Sequence, residues 1–198
     1  MFVTFEGLDG SGKTTQVELL RAALEAEGRE VVATREPGGT ALGERIRELL
    51  LDGPEISPWA ETALFAAARA ELVERVIAPE LARGAHVLCD RYIDSSLAYQ
   101  GIARGLGVER VLELNLHATR GLLPDRTFLL LLDPDRASAR LGGAPDRIEQ
   151  EGRDFRAAVD AAYRSLAEMF PRRVIPIEAG GDPEEVATRV REHLRDLS

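Results

Sequence analysis

Residues 7 to 14 read Gly7-Leu8-Asp9-Gly10-Ser11-Gly12-Lys13-Thr14 and fill every fixed position of the pattern G-x-x-x-x-G-K-[ST]. Glycines at these places let the backbone curl so that successive N–H groups, and the N-terminus of the helix that follows, point at phosphate oxygens. Lys13 would then reach the terminal phosphates of a nucleoside triphosphate as a point charge. Thr14 would offer its hydroxyl to Mg²⁺, and Thr15 carries the loop into the helix. Lys13 is the one lysine among 25 Lys and Arg residues, which leaves 24 arginines. Any second phosphate must therefore be held by guanidinium groups.

Other polar clusters lie at the ends of apolar runs. One is Thr34-Arg35-Glu36-Pro37-Gly38-Gly39-Thr40, with Arg47 a few residues on. Another is Asp90-Arg91-Tyr92-Ile93-Asp94-Ser95-Ser96-Leu97-Ala98-Tyr99-Gln100-Gly101, and a third is Asp146-Arg147-Ile148-Glu149. Between the first two, Phe65 and Arg69 stand four apart, on one face of a helix. An aromatic ring can stack on a base, and a guanidinium, which carries donors only, suits a carbonyl acceptor. Thymine shows O4 as an acceptor where cytosine shows an amino donor. Spacing alone favours Phe65 as core and Arg69 as a solvated helix residue, and also allows Ser95 as a helix cap and Tyr99 as half-buried packing.

The elements that must position these residues follow from periodicity. Short apolar strands are expected over Met1–Phe5, Glu30–Thr34, His86–Cys89, Thr127–Leu132 and Arg173–Ile177, and the Phe128–Leu132 run, apolar on both faces, suits a buried parallel sheet. Helices are expected at about Lys13–Glu27, Ala41–Leu51, Pro58–Leu81, Ser95–Arg104, Val108–Arg120, Arg153–Phe170 and Pro183–Leu197. This alternation predicts one α/β domain over residues 1–198, with a five-stranded parallel sheet, helices on both faces and ligand sites at the carboxyl ends of the strands. Leu141-Gly142-Gly143-Ala144-Pro145 is the flexible-looking stretch, and residues 136–153 around it form the expected lid.

Composition removes several function classes. With 44% hydrophobic and 30% charged residues the chain is an ordinary globular one. A net charge of -9 opposes wrapping a nucleic-acid polymer, which needs a basic face to displace counterions. No run of about 18 apolar residues suits a membrane-spanning helix, and no basic leader precedes Met1–Phe5, so neither membrane nor secretion is expected. A lone Cys89 suits a reducing, cytoplasmic setting.

Taken in order, the phosphate loop, T-R-E-P-G-G at residues 34–39, the Phe65/Arg69 pair, D-R-Y-I-D-S-S-L-A-Y-Q-G at residues 90–101 and D-R-I-E at residues 146–149 make the chain resemble the bacterial thymidylate kinases over about residues 3–155. The resemblance implies a nucleoside monophosphate kinase-like P-loop fold, transfer of the γ-phosphoryl group of ATP to dTMP, Mg²⁺ as cofactor and a homodimer. It implies that Gly7, Leu8, Asp9, Gly10, Ser11, Gly12, Lys13, Thr14 and Thr15 bind ATP. It places Phe65 and Arg69 on the base, Ser96 and Gln100 at the base edge beside Ser95, and Tyr99 against the ribose 2′ position. Arg91, Arg35 and Arg47 are assigned to the acceptor phosphate, Asp9 to the sugar 3′-hydroxyl, and Arg147 and Arg140 to the lid over the donor phosphates. Glu36 is expected to orient Arg35 or a metal-bound water. Asp90 either holds Mg²⁺ with Thr14, through water, or fixes Arg91.

A switch GTPase would read guanine through N-K-x-D, which needs a second lysine that this chain lacks. A kinase for another nucleoside monophosphate and a non-catalytic ATP-binding module remain as alternatives.

Overall fold

The computed structural model describes residues 1–142 and 146–194. Five parallel strands run in the order β2-β3-β1-β4-β5, where β1 is Phe2–Glu6, β2 Val31–Arg35, β3 His86–Asp90, β4 Arg126–Leu131 and β5 Val174–Glu178. β1 is buried along its whole length at the centre of the sheet, as an apolar strand with helices on either side must be. The strand bounds lie within a residue or so of those expected from sequence.

Connections fix where a ligand can sit. β1 and β3 are neighbours, yet β1 leads outward to β2 at one edge while β3 leads the other way, past β1, to β4. With right-handed crossovers these two connections lie on opposite faces and open a crevice between the loops that leave β1 and β3. The register pairs Phe5 with Asp90 and Arg35 with Asp90, so the segments that follow all three strands emerge side by side.

Helix α1 (Lys13–Ala26) packs against α9 (Pro183–Glu192). Elsewhere α2 (Ala41–Leu51) packs on α3 (Pro58–Leu72), α3 on α6 (Val108–Ala118), and α8 (Gly152–Met169) on the 97–103 segment. One core joins them: Val17 and Leu20 of α1, Phe5 and Phe128 of the sheet, Leu97 and Leu166 are all buried in it.

Several helices depart from expectation. In place of one helix over 58–81, α3 passes through a π-helical stretch, Val73–Ile77, into α4 (Ala78–Ala82). Pro79, at the start of α4, has no N–H to give the preceding turn, so the ladder is re-spaced there. In place of a regular helix over 95–104, a short α5 (Ile93–Ser96) runs into a π-helical segment over Leu97–Ala103, which carries Tyr99 and Gln100. An additional helix, α7 (Pro134–Ala139), follows β4, and Asp133 caps it by accepting from the Asp135 and Arg136 amides. The last helix ends at Glu192, short of the expected 197, and residues 195–198 lie outside the described residues.

Candidate functional site

The phosphate loop takes the shape its glycines permit. Gly7, Gly10 and Gly12 all have positive φ, and a β-carbon at Gly7 would come within 2.6 Å of the Leu130 carbonyl while one at Gly10 would strike the Ala137 carbonyl. α1 begins directly after Gly12 with no side chain capping its first turn, which leaves backbone N–H groups free for an anion. Lys13 lies over the loop and donates to the carbonyls of Gly7 at 3.1 Å and Leu8 at 2.9 Å. Burial and the nearby Arg91 pull its pKa down, opposed by Asp9, Asp90 and Glu6. The Thr14 hydroxyl donates to Asp90 at 2.6 Å. Asp90 thus faces Thr14, whereas the Arg91 guanidinium turns to Asp9, Ser95, Tyr163 and Tyr99.

Arg91 is the junction of the site. It adopts φ 70°, a left-handed conformation uncommon for a residue with a β-carbon, immediately after β3. That strain is sustained by its partners, a pattern found where a side chain must be aimed for function. Arg91 donates to Asp9 at 2.6 Å, to Ser95 at 3.0 Å and to Tyr163 at 3.0 Å, and its guanidinium lies 5.4 Å from the Tyr99 ring centre. Burial alone would raise the pKa of Asp9, but Arg91 and Lys13 outweigh it and hold that carboxyl well below the usual carboxylate range.

Beneath Arg91 sits Glu6, fully buried at the end of β1, which accepts from the Tyr92 amide at 2.7 Å, the Ser95 amide at 3.1 Å, the Ser95 hydroxyl at 2.6 Å and the Tyr163 phenol at 2.9 Å. Burial, then Asp94, raise its pKa, and Arg91 opposes them. Ser95 is therefore part of this network and not a helix cap. Glu6 and Tyr163 were missed in the sequence. A carboxylate ending an apolar strand directly before the phosphate loop was a legible signal, whereas Tyr163 lies beyond the resemblance and shows only as an apolar position of α8.

Two cavities open from this junction. One is lined by Phe65, Arg47, Ser95, Ser96, Tyr99 and Gln100 with Asp9, Glu36 and Arg91. The other is lined by Gly10, Gly12, Lys13, Thr14, Thr15, Arg35, Asp90 and Arg140, again with Asp9, Glu36, Arg47 and Arg91. Arg140 reaches the Gly10 carbonyl at 3.4 Å. Arg47 donates to the Pro37 carbonyl at 3.0 Å. Leu8 and Ser11 belong to the loop but are buried beneath it.

Three expected placements change. Arg35 pairs with Glu44 at 3.0 Å and not with Glu36. Glu36 instead faces Arg69, because both are buried and neither could be left uncompensated. Arg69 stands behind the first cavity: Nε donates to Glu36 at 2.8 Å, one terminal nitrogen to Ser96 at 3.0 Å and to Asn115, and the other to the Tyr92 carbonyl at 2.9 Å while touching Glu36 at 2.5 Å. All five of its donors are thereby engaged. Arg147 donates to the Leu50 carbonyl at 2.8 Å and to Glu61 at 2.6 Å and does not line the Lys13 cavity. Of the other arginines in the expected lid, Arg153 pairs with Asp135 at 2.6 Å. Gly143, Ala144 and Pro145, at the centre of that stretch, lie outside the described residues.

The second Glu36 oxygen, Oε1, is buried without a hydrogen-bond partner among the described residues. Burial is the chief cause that pushes the Glu36 pKa up, to about 7, against the pull of Arg69.

Residues 5–190 match the family model described as Thymidylate kinase. Among curated proteins, the chain is 52% identical over 192 residues to a thymidylate kinase of Synechococcus sp. (strain JA-3-3Ab), covering 96% of this chain and 93% of that one. It is 50% identical over 203 residues to the thymidylate kinase of Bifidobacterium longum (strain DJO10A), covering 100% and 98%. Its fold matches the crystal structure of thymidylate kinase from Ehrlichia chaffeensis with a TM-score of 0.83 at 33% identity, over 98% of each chain.

Proposed function

The chain belongs to the thymidylate kinase family, and from that premise we infer that it transfers the γ-phosphoryl group of ATP to dTMP, giving dTDP and ADP. One observation carries this reading in the structure: the phosphate-loop cavity and the Phe65 cavity meet at shared walls, Asp9, Glu36, Arg47 and Arg91. Two nucleotides entering from opposite sides would bring their phosphates together there.

The nucleophile is an oxygen of the dTMP phosphate, ionised near neutral pH, so the reaction requires no general base. What the protein must supply is alignment of two polyanions and neutralisation of the charge that spreads over the transferred group. The first-turn amides of α1 and Lys13 serve the donor phosphates, Arg140 the loop side, and Arg91, with Arg35 and Arg47, the acceptor phosphate. Asp9 keeps Arg91 in line and faces the sugar. Phe65 stacks on the base, Ser96 and Gln100 stand at its edge, and Tyr99 crowds the position of a ribose 2′-hydroxyl. The Thr14 hydroxyl and the Asp90 carboxylate, both hard oxygens 2.6 Å apart, suit Mg²⁺ and would hold it beside the phosphates. Bound there, it would neutralise phosphate charge.

No described helix is long and apolar enough to cross a membrane. We place the enzyme in the cytoplasm, which a reduced, buried Cys89 suits, and take it to act as a homodimer, with neither nucleic-acid polymer nor membrane as partner. The reading is tested by offering dTMP, dUMP, dCMP, UMP and AMP singly with ATP and Mg²⁺ and following ADP. Fast release with dTMP, slower with dUMP and near blank for the rest supports it; a preference for another acceptor rejects the base assignment, and release without acceptor marks an ATPase.

A further inference from the structure

Glu61, on α3, is the most heavily engaged carboxylate outside the phosphate junction among the described residues. Its side chain is 1% exposed. One oxygen accepts from Gln100 Nε2 at 2.8 Å and from Arg104 Nε at 2.7 Å. The other accepts from Arg104 at 3.0 Å and from Arg147 at 2.6 Å. Two arginines that converge on one buried carboxylate keep it ionised, and an ionised carboxylate only accepts. The Gln100 amide therefore has one admissible orientation: its NH₂ must face Glu61. The carbonyl oxygen is left on the other side, where Gln100 lines the Phe65 cavity, and no protein donor engages it among the described residues.

We propose that Glu61 is a positioning residue for base selection: it locks the Gln100 amide with its carbonyl oxygen toward the cavity, so that the site selects a pyrimidine carrying a hydrogen at N3. Thymine and uracil carry that hydrogen. Cytosine presents a bare N3 acceptor, which would meet the Gln100 carbonyl without a proton between them. The same carboxylate ties Arg147 of the D-R-I-E segment to this amide, and Arg104, which bridges on to Glu151 at 2.8 Å and lies 4.9 Å from the ring centre of Phe155 on α8, braces the arrangement. Glu61 touches neither substrate; it acts through Gln100. This inference rests on the dTMP reading of the cavity.

The test compares dUMP with dCMP, whose N3 is a bare acceptor, as acceptors or as competitors of dTMP, in the wild type, Glu61→Gln and Gln100→Ala. In the wild type dCMP should bind at least about tenfold more weakly, the size of one well-placed hydrogen bond. Glu61→Gln, which frees the Gln100 amide to turn its NH₂ toward N3, should shrink that ratio about fivefold and raise KM for dTMP while KM for ATP stays put. Gln100→Ala should shrink it equally, with Glu61→Gln adding nothing in that background. A wild-type ratio preserved in Glu61→Gln overturns the proposal, as does a wild type that binds dCMP as well as dUMP. Should Glu61→Gln not fold, Glu61→Asp retains the charge for both arginines but withdraws from Gln100, and the same ratio decides. A wild type with no affinity for dTMP would instead reject the underlying reading.

Discussion

Arg91 donates to Asp9 across 2.6 Å, which ties the loop after β3 to the phosphate loop after β1 at the point where two cavities meet. The contact spans the crevice that the strand order opens, so it is a product of topology as much as of charge. Asp9 is the group that keeps two cations, Arg91 and Lys13, close together before any phosphate arrives.

Asp9→Asn keeps the shape and removes the charge. Loss of a charge-assisted hydrogen bond, about 1.5–3 kcal/mol, should lower kcat/KM for dTMP by roughly 10- to 150-fold. ATP binding should hold or tighten, since one negative charge has left the donor site. Steady-state kinetics with each substrate varied in turn decide; equal losses for both would show that Asp9 only shapes the loop.

Among the described residues Lys13 bonds only to loop carbonyls and to Asp9, so the fold does not lean on it. Lys13→Ala should lower kcat by at least about 10²–10³-fold, the scale of one lost electrostatic group, with an unchanged Tm. Near-normal turnover would remove the phosphate-loop assignment.

Arg69→Met leaves Glu36 buried opposite an apolar side chain. Breaking a buried pair from one side costs about 3–5 kcal/mol, and denaturant unfolding should show it. Replacing both, Arg69→Met with Glu36→Met, should recover most of the loss. A double variant no more stable than the single one would mean that Arg69 acts through Ser96, Asn115 and the Tyr92 carbonyl and not through Glu36.

Glu36 gives a pH signature. Its folded pKa of about 7 lies above the ordinary 4.5, so its contribution to stability is complete below 4.5 and is lost as pH rises through 7. Glu36→Gln removes that loss. The Tm of the variant minus that of the wild type should therefore climb between pH 5 and pH 8, whatever its offset. A difference flat across that window would place the titration elsewhere.

The sheet, its five strands and the phosphate loop were legible because each rests on local pattern: apolar runs, stop glycines and an eight-residue motif. Side-chain partners were not, because they depend on which neighbour is nearer in space. Glu36 adjoins Arg35 in sequence, yet alternation along an extended backbone sends the two to opposite sides, and Glu44, one turn into α2, takes Arg35. Phe65 and Arg69 do share a face of α3, as spacing required, but the cavity ends at Phe65 and Arg69 lies behind its wall. Arg147 follows the same logic: Glu61, buried 86 residues earlier in the chain, takes it. The π-helical segment over Leu97–Ala103 was read as an ordinary helix because its single glycine, Gly101, is tolerated within a helix and does not by itself mark the wider turn.

The most direct test of the central claim follows a γ-phosphate label from ATP in the presence of dTMP and Mg²⁺. The account predicts that the label appears in the β-phosphate of dTDP, one for each ADP formed, and that none moves when dTMP is replaced by AMP. Label released as inorganic phosphate at the same rate with or without dTMP would contradict it.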